Sequence, residues 1–197
     1  LADAAEDAES LFGDERSAGD DAPWEETSLD LLALVDVRRD SAVGTWRSVD
    51  DAIISPRESS VRLQIPCIPP QEYDLEVVLS SNEAPLDGLI GIVANGRQTS
   101  LILEGFNDLG ASYSGLESIN GRRVPENETS RKGRFTRAGE KYHIRCAVRD
   151  EGVQVSVNGQ LLTEYKGDPR RLTGAPTARV NDCRVLYLGA NFRAITF

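Results

Sequence analysis

Among its 197 residues the chain has no methionine, a single histidine and three cysteines, and aromatics make up 6%. A single histidine, His143, rules out histidine-rich zinc clusters and leaves any Ser-His-Asp arrangement dependent on one residue. Cys67, Cys146 and Cys183 are too few and too far apart for a C-x-x-C metal or redox site or a disulfide scaffold, and they allow one bridge at most. No apolar run approaches the ~20 residues of a bilayer-spanning helix, so no membrane insertion by this segment is expected. A chain without methionine that starts at Leu1 reads as a processed product or a fragment of a larger protein. The lack of a leader therefore says nothing about its parent, and the compartment stays open, extracytoplasmic being one expectation.

Net positive charge is also lacking. The formal charge is -10, and residues 1–30 hold eleven acids against one base, Arg16, which leaves the remainder neutral. The leading segment reads as a solvated acidic tail or linker, residues 1–27, ahead of one folded domain, residues 28–197. Neither part offers the basic face that a phosphate backbone requires, so nucleic acid is not an expected partner.

What the sequence has in abundance is two-residue periodicity. "TWRSV", "AIIS", "SVRLQI", "YDLEVVLS", "GLIGIVANG", "RQTSLILEG", "KYHIRCAVR", "VQVSVNG", "LLTEY", "RVLYLGA" and "FRAITF" are short, rich in β-branched or aromatic residues, and bounded by turn formers. Asn95-Gly96, Asn120-Gly121 and Asn158-Gly159 supply the positive φ of tight hairpin turns. One or two short helices accompany the strands, one capped by Ser28 and carrying Leu31, Leu32, Leu34 and Val35, the other a turn at "GDPRRL" with Asp168 as cap and Pro169 first. Cys146, in phase with Tyr142, Ile144 and Val148, reads as a buried free thiol. The expected class is all-β, a jelly-roll sandwich of two antiparallel sheets.

The strings "LDLLALVD", "GTWRSVDDAIIS", "SGLESING", "NETSRKGR", "YHIRCAVR" and "YKGDPRRL" carry a resemblance. From about residue 28 to the end, the chain resembles a planctomycete domain of the concanavalin A-like lectin/glucanase superfamily. At greater distance it is similar to the 3-keto-disaccharide hydrolase family and laminin-G-like modules. The resemblance implies two antiparallel sheets curved over one another with a concave outer face. It does not choose between lectin, glycosidase and adhesive module.

Each candidate site has a functional and a plain reading. In "EYDLE", Glu72, Asp74 and Glu76 share one strand face and resemble the E-x-D-x-E signature of laminarinase-type hydrolases, which implies a Glu72 nucleophile and a Glu76 acid/base. A retaining pair must come within ~5–5.5 Å, whereas i and i+4 on a strand lie ~13 Å apart at the backbone, so the plain reading is a polar face. Arg122, Arg123, Arg131 and Arg134, with Arg145 and the outward-facing His143, form a cationic patch suited to uronate or sulfate groups, or to the acidic tail folding back; the plain reading is dispersed surface charge. In "NET", Asn127 and Thr129 read as makers of local backbone hydrogen bonds. Calcium occurs in many superfamily members, but the acids here form no D-x-D-x-D cage, and no metal or other cofactor is expected.

Tyr165 depends on the register of "VQVSVNGQLLTEY". A plain type I′ turn at Asn158-Gly159 sets Val155 opposite Leu162 and points Tyr165 outward as a sugar platform. A bulge at Gly159 sets Val155 opposite Leu161 and turns Tyr165 inward, which groups the apolar residues and is the favoured register. Together these features suggest a non-catalytic carbohydrate- or protein-binding module of a larger bacterial protein, with a polysaccharide, an anionic glycan included, or a protein as partner. The alternatives are a carbohydrate-active hydrolase using Glu72, Asp74 and Glu76, and a purely structural module.

Overall fold

A computed structural model describes residues 28–174 and 180–197, so the acidic segment 1–27 and its expected fold-back lie outside the described residues. Its strands, numbered in chain order, form two antiparallel layers with two small additions. The larger sheet runs β1 (Ser41–Val43), β4 (Val61–Ile65), β16 (Leu186–Ala190), β6 (Gly88–Ala94), β7 (Arg97–Gly105), β8 (Tyr113–Leu116) and β11 (Arg131–Lys132). Facing it are β14 (Gln160–Lys166), β13 (Gly152–Val157), β12 (Lys141–Arg149) and β5 (Tyr73–Ser80). A hairpin of β2 (Arg47–Val49) and β3 (Ala52–Ile54) joins this layer through Thr196, which bridges Ile54 on one side and Ser80 on the other. The second small sheet holds β10 (Arg122–Arg123), β9 (Ser118–Ile119) and β15 (Leu172–Thr173).

The alternation read from the sequence is what joins the layers. Val61, Leu63, Ile90, Leu101, Leu103 and Leu188 of the larger sheet share one buried cluster with Leu75, Leu79, Ile144, Val148, Val153 and Val155 of the smaller. Burying an aliphatic side chain contributes about 1.5–3 kcal/mol relative to leaving it in water, so these rows dominate the stability of the sandwich. Cys146 lies in the same cluster as a free, buried thiol. Strands β8 to β11 have no counterpart in the periodicity, because two- to four-residue segments containing glycine, serine and arginine carry too little alternation to register.

Local geometry corrects two expectations. The first helix is only a 3-10 turn at Leu32–Leu34, and the Leu32 N–H donates to Asp30 Oδ1 at 3.0 Å, so Asp30 takes the role expected of Ser28. At the β13–β14 hairpin both Asn158 (φ 50°) and Gly159 (φ 78°) are left-handed, which is the type I′ turn and not a bulge at Gly159. Val157 faces Gln160 and Ser156 faces Leu161, but Val155 faces Thr163 and Val153 faces Tyr165. One extra residue, Leu162, is absorbed inside the strand, and this restores the apolar phase after the turn would have lost it. The 3-10 turn at Pro169–Arg171 has the predicted cap: Arg170 N–H donates to Asp168 Oδ1 at 2.9 Å.

Behind the sheets a buried carboxylate ties two loops together. Glu104, fully buried at the end of β7, accepts from the N–H groups of Leu86 (2.9 Å), Phe135 (2.5 Å) and Thr136 (2.7 Å), and from the Thr136 hydroxyl. Asn127 and Thr129 make the local bonds expected of them: Asn127 Oδ1 accepts from Thr129 N–H at 2.9 Å, and Asn127 Nδ2 donates to the Leu116 carbonyl at 2.8 Å.

Candidate functional site

The acidic strand face is present, but its members are already engaged. Asp74 and Glu76 project outward from β5 while Leu75 and Val77 point to the core. Asp74 accepts from Arg145 at 2.7 Å and from Arg149 at 2.9 Å. Partial burial raises its pKa, but hydrogen bonds and charge from the two arginines outweigh that and hold the carboxyl below its ordinary value. Glu72 lies just before the strand and accepts from the Asp150 N–H at 2.9 Å. The three acids therefore lie in a row at the rim of a slot along β5, two of them tied to neighbours, and do not face one another across it.

The cationic residues do not converge either. His143 and Arg145 lie exposed on the outer side of β12. Arg123 stacks on Phe106, guanidinium to ring centroid 4.6 Å, and Phe106 packs on the opposite, outer side of the larger sheet with Leu89 and Ile102. The whole sandwich thus separates the two groups that the sequence places close together. Arg131 donates to the Leu162 carbonyl at 2.9 Å and Arg134 to Ser112 Oγ at 3.3 Å, while Arg122 is exposed beside the Asn120-Gly121 turn. Tyr165 is buried, and its hydroxyl donates to the Asp168 carbonyl at 2.8 Å, so it is a core residue and offers no open ring to a ligand.

A polar row that the sequence reading missed crosses the outer face of the larger sheet. Gly189 and Tyr187 of β16 pair with Arg62 and Gln64 of β4; Tyr187 also pairs with Gly91, which in turn faces Ser100 of β7. The Tyr187 ring lies directly over Gly91, where a Cβ would fall 1.9 Å from Cδ1 of the ring, so glycine is what lets the aromatic cross to the next strand. The Tyr187 hydroxyl meets Ser100 Oγ at 2.5 Å, and Ser100 Oγ donates to Glu117 Oε2 at 2.7 Å. Arg62 completes the row, its guanidinium 5.8 Å from the Tyr187 ring centroid.

All four side chains are buried, Arg62 and Glu117 at 4% exposure each. Arg62 Nη1 donates to the Val61 carbonyl at 2.7 Å, but its Nε is buried without a partner. Burial pushes the Tyr187 phenol up, against the opposing pull of Ser100 and Arg62, so it stays a neutral donor. Val180 and Val185 pack over Tyr187, and a cleft of about 200 Å³ lined by Gln98, Thr99, Thr173, Gly174, Cys183 and Tyr187 opens beside the row.

In the sequence Arg62 and Ser100 are merely polar residues of "SVRLQI" and "RQTSLILEG", and Glu117 one of "SGLESING". Alternation assigns such residues to water, and nothing local reveals that loops will cover them. Gly91 of "GLIGIV", opposite Tyr187, and Gly189 of "LYLGA", opposite Arg62, are the one sequence signal of cross-strand packing. Among the described residues no group of three or more His, Cys, Asp or Glu could hold a metal ion.

No protein-family model matches the chain, and no curated protein does. Among solved structures it is similar to the carbohydrate binding module CBM66 from Bacillus subtilis, with 9% identity and a TM-score of 0.45 over 79% of this chain and 88% of that one. It is also similar to the Caenorhabditis elegans galectin LEC-6, with 13% identity and a TM-score of 0.43 over 76% and 96% of the two chains. A third is domain 4 of AbnA, a GH43 extracellular arabinanase from Geobacillus stearothermophilus, with 14% identity and a TM-score of 0.43 over 78% and 72%. Likeness at this level concerns the fold and not the ligand.

Proposed function

We propose that the chain is a non-catalytic binding module of the concanavalin A-like type, and that it takes a glycan on the outer face of its seven-stranded sheet. The observation that carries this reading is the Arg62 Nε, a charged donor buried without a partner at the head of a row that ends in the Glu117 carboxylate. Buried polar groups left unpaired are costly, and a ligand able to satisfy them recovers that cost on binding. Sugar hydroxyls both accept and donate, so a glycan laid along the row can accept from Arg62 and donate to Glu117. Glu117 favours a neutral sugar at the row itself. Arg122, and Arg123 on Phe106, form the short strand β10 on the same side, where a uronate or sulfate group would find its partner.

Hydrolysis has less support. A retaining mechanism needs two carboxyls facing one another, and here Glu72 is committed to a backbone N–H and Asp74 to two arginines. The kinship with the planctomycete domain and a place in a larger extracytoplasmic protein are part of the same proposal.

A glycan array probed with the full chain tests it. At least one polysaccharide should be retained, and Glu117→Gln and Arg62→Met should each weaken its binding tenfold or more while their far-UV circular dichroism stays that of the parent. Folded variants that bind as well as the parent would remove this face from consideration.

A further inference from the structure

A larger cavity than the cleft beside Tyr187 lies elsewhere, along the outer edge of β5. It measures about 1040 Å³, near the upper end of the ~300–1,000 Å³ usual for ligand pockets. One wall is formed by the core-facing Leu75, Val77 and Leu79 of β5, the other by Ile65, Leu186 and Leu188 of the larger sheet, with Phe197 between.

Among the described residues most of the backbone beside this slot is unpaired. β5 is bonded along one side to β12; on its other side Ser80 alone is engaged, exchanging two bonds of 2.9 Å with Thr196. Because Ser80 directs its N–H and C=O away from β12, the pleat directs those of Val78, Glu76 and Asp74 the same way. Among the described residues these three bond to no group on that side. An edge with several consecutive free donors and acceptors, set over an apolar slot, is a template for another strand.

The charge of the rim says what kind of strand fits. Asp30, Asp51, Glu72, Asp74 and Glu76 line the slot against Lys141 and Arg145, and Arg149 reaches in to Asp74, which leaves an excess of two acids. An added strand continuing the line of Ile195–Phe197 would alternate its side chains, one set entering between Ile65, Leu188 and Phe197, the other lying on the outer face beside Asp74 and Glu76. We infer that this edge takes up an extended segment of a partner polypeptide in which apolar residues alternate with lysine or arginine, added to β5 as a further antiparallel strand. The acidic residues 1–27 are the wrong charge for it, and a second copy of β5 would bring its own acids against these.

The test uses the full chain and a synthetic nonapeptide of alternating valine and lysine, with a valine–glutamate peptide as control, followed by residue-resolved amide exchange and NMR titration. The lysine peptide should bind with a Kd below about 1 mM and slow exchange at Asp74, Glu76 and Val78 at least tenfold. Amides on the β12 side should be unaffected. Val78→Pro removes one outward N–H at an edge position where proline is tolerated, and should abolish binding while Tyr142 and Ile144 stay protected. Glu72→Lys with Glu76→Lys should weaken the lysine peptide and not the control. Equal binding of both peptides would overturn the proposal. So would edge amides already protected in the protein alone, whether independently of concentration, which makes the occupant this chain, or rising with it, which makes the occupant a second copy.

Discussion

Val153 stands directly opposite Tyr165 across the β13–β14 ladder, although the type I′ turn that begins this hairpin would by itself have placed Glu164 there. The extra residue at Leu162 makes the difference, and with it an aromatic ring that could have faced water closes the end of the core. Tyr165→Phe should cost about 1 kcal/mol through loss of the bond to the Asp168 carbonyl. Tyr165→Ala should cost about 3–5 kcal/mol through the cavity it leaves. Urea unfolding measures both, and a Tyr165→Ala variant as stable as the parent would contradict the assigned register.

Glu104 is the other buried group with a large expected effect. Glu104→Ala removes the acceptor for three backbone N–H groups and the Thr136 hydroxyl, and each orphaned buried donor costs about 1–3 kcal/mol. A loss of more than about 3 kcal/mol is expected in thermal or urea unfolding, with the Leu86 and Thr136 amides losing protection first.

Acid should weaken the clamp on Asp74. Its folded pKa lies below the ordinary 3.8, so its contribution is complete above that value and is lost as pH falls through the lowered one. The pair is partly exposed, and the amount is about 0.2–1 kcal/mol. Measured as unfolding free energy, the parent should exceed Asp74→Asn by this amount at pH 6, and the gap should close as the pH falls through the lowered folded pKa.

The three thiols should separate by reactivity. Cys183 is exposed and Cys67 half-buried, while burial pushes the Cys146 thiol up to about 12. With a thiol reagent at pH 8, Cys183 should label first and Cys146 only after denaturant is added. Early labelling of Cys146 would mean that the sandwich opens readily between its layers.

Much of this architecture was legible from the residues alone. A two-residue period places Ile144, Val148, Val153 and Val155 on one face without reference to anything distant, and Asn-Gly pairs specify left-handed turns from their own sterics. The cap at Asp168 and the outward course of His143 follow from the same local rules. The residues of the proposed site were not legible in this way. Arg62, Ser100, Glu117 and Tyr187 come from four separate stretches, and their row exists only because β4, β16, β6 and β7 lie side by side in an order unrelated to the chain's.

The same limit explains the cationic patch. Arg123 and His143 are close in sequence but lie on opposite outer faces, since the chain crosses from one layer to the other between them. By itself, then, the sequence determined the strand alternation, the turns and which residues form the core, because each of these is decided within a few residues by covalent geometry and by contact with water. Tertiary structure alone decided which polar residues became buried neighbours and which strand edge stayed open, because both depend on pairing between segments tens of residues apart.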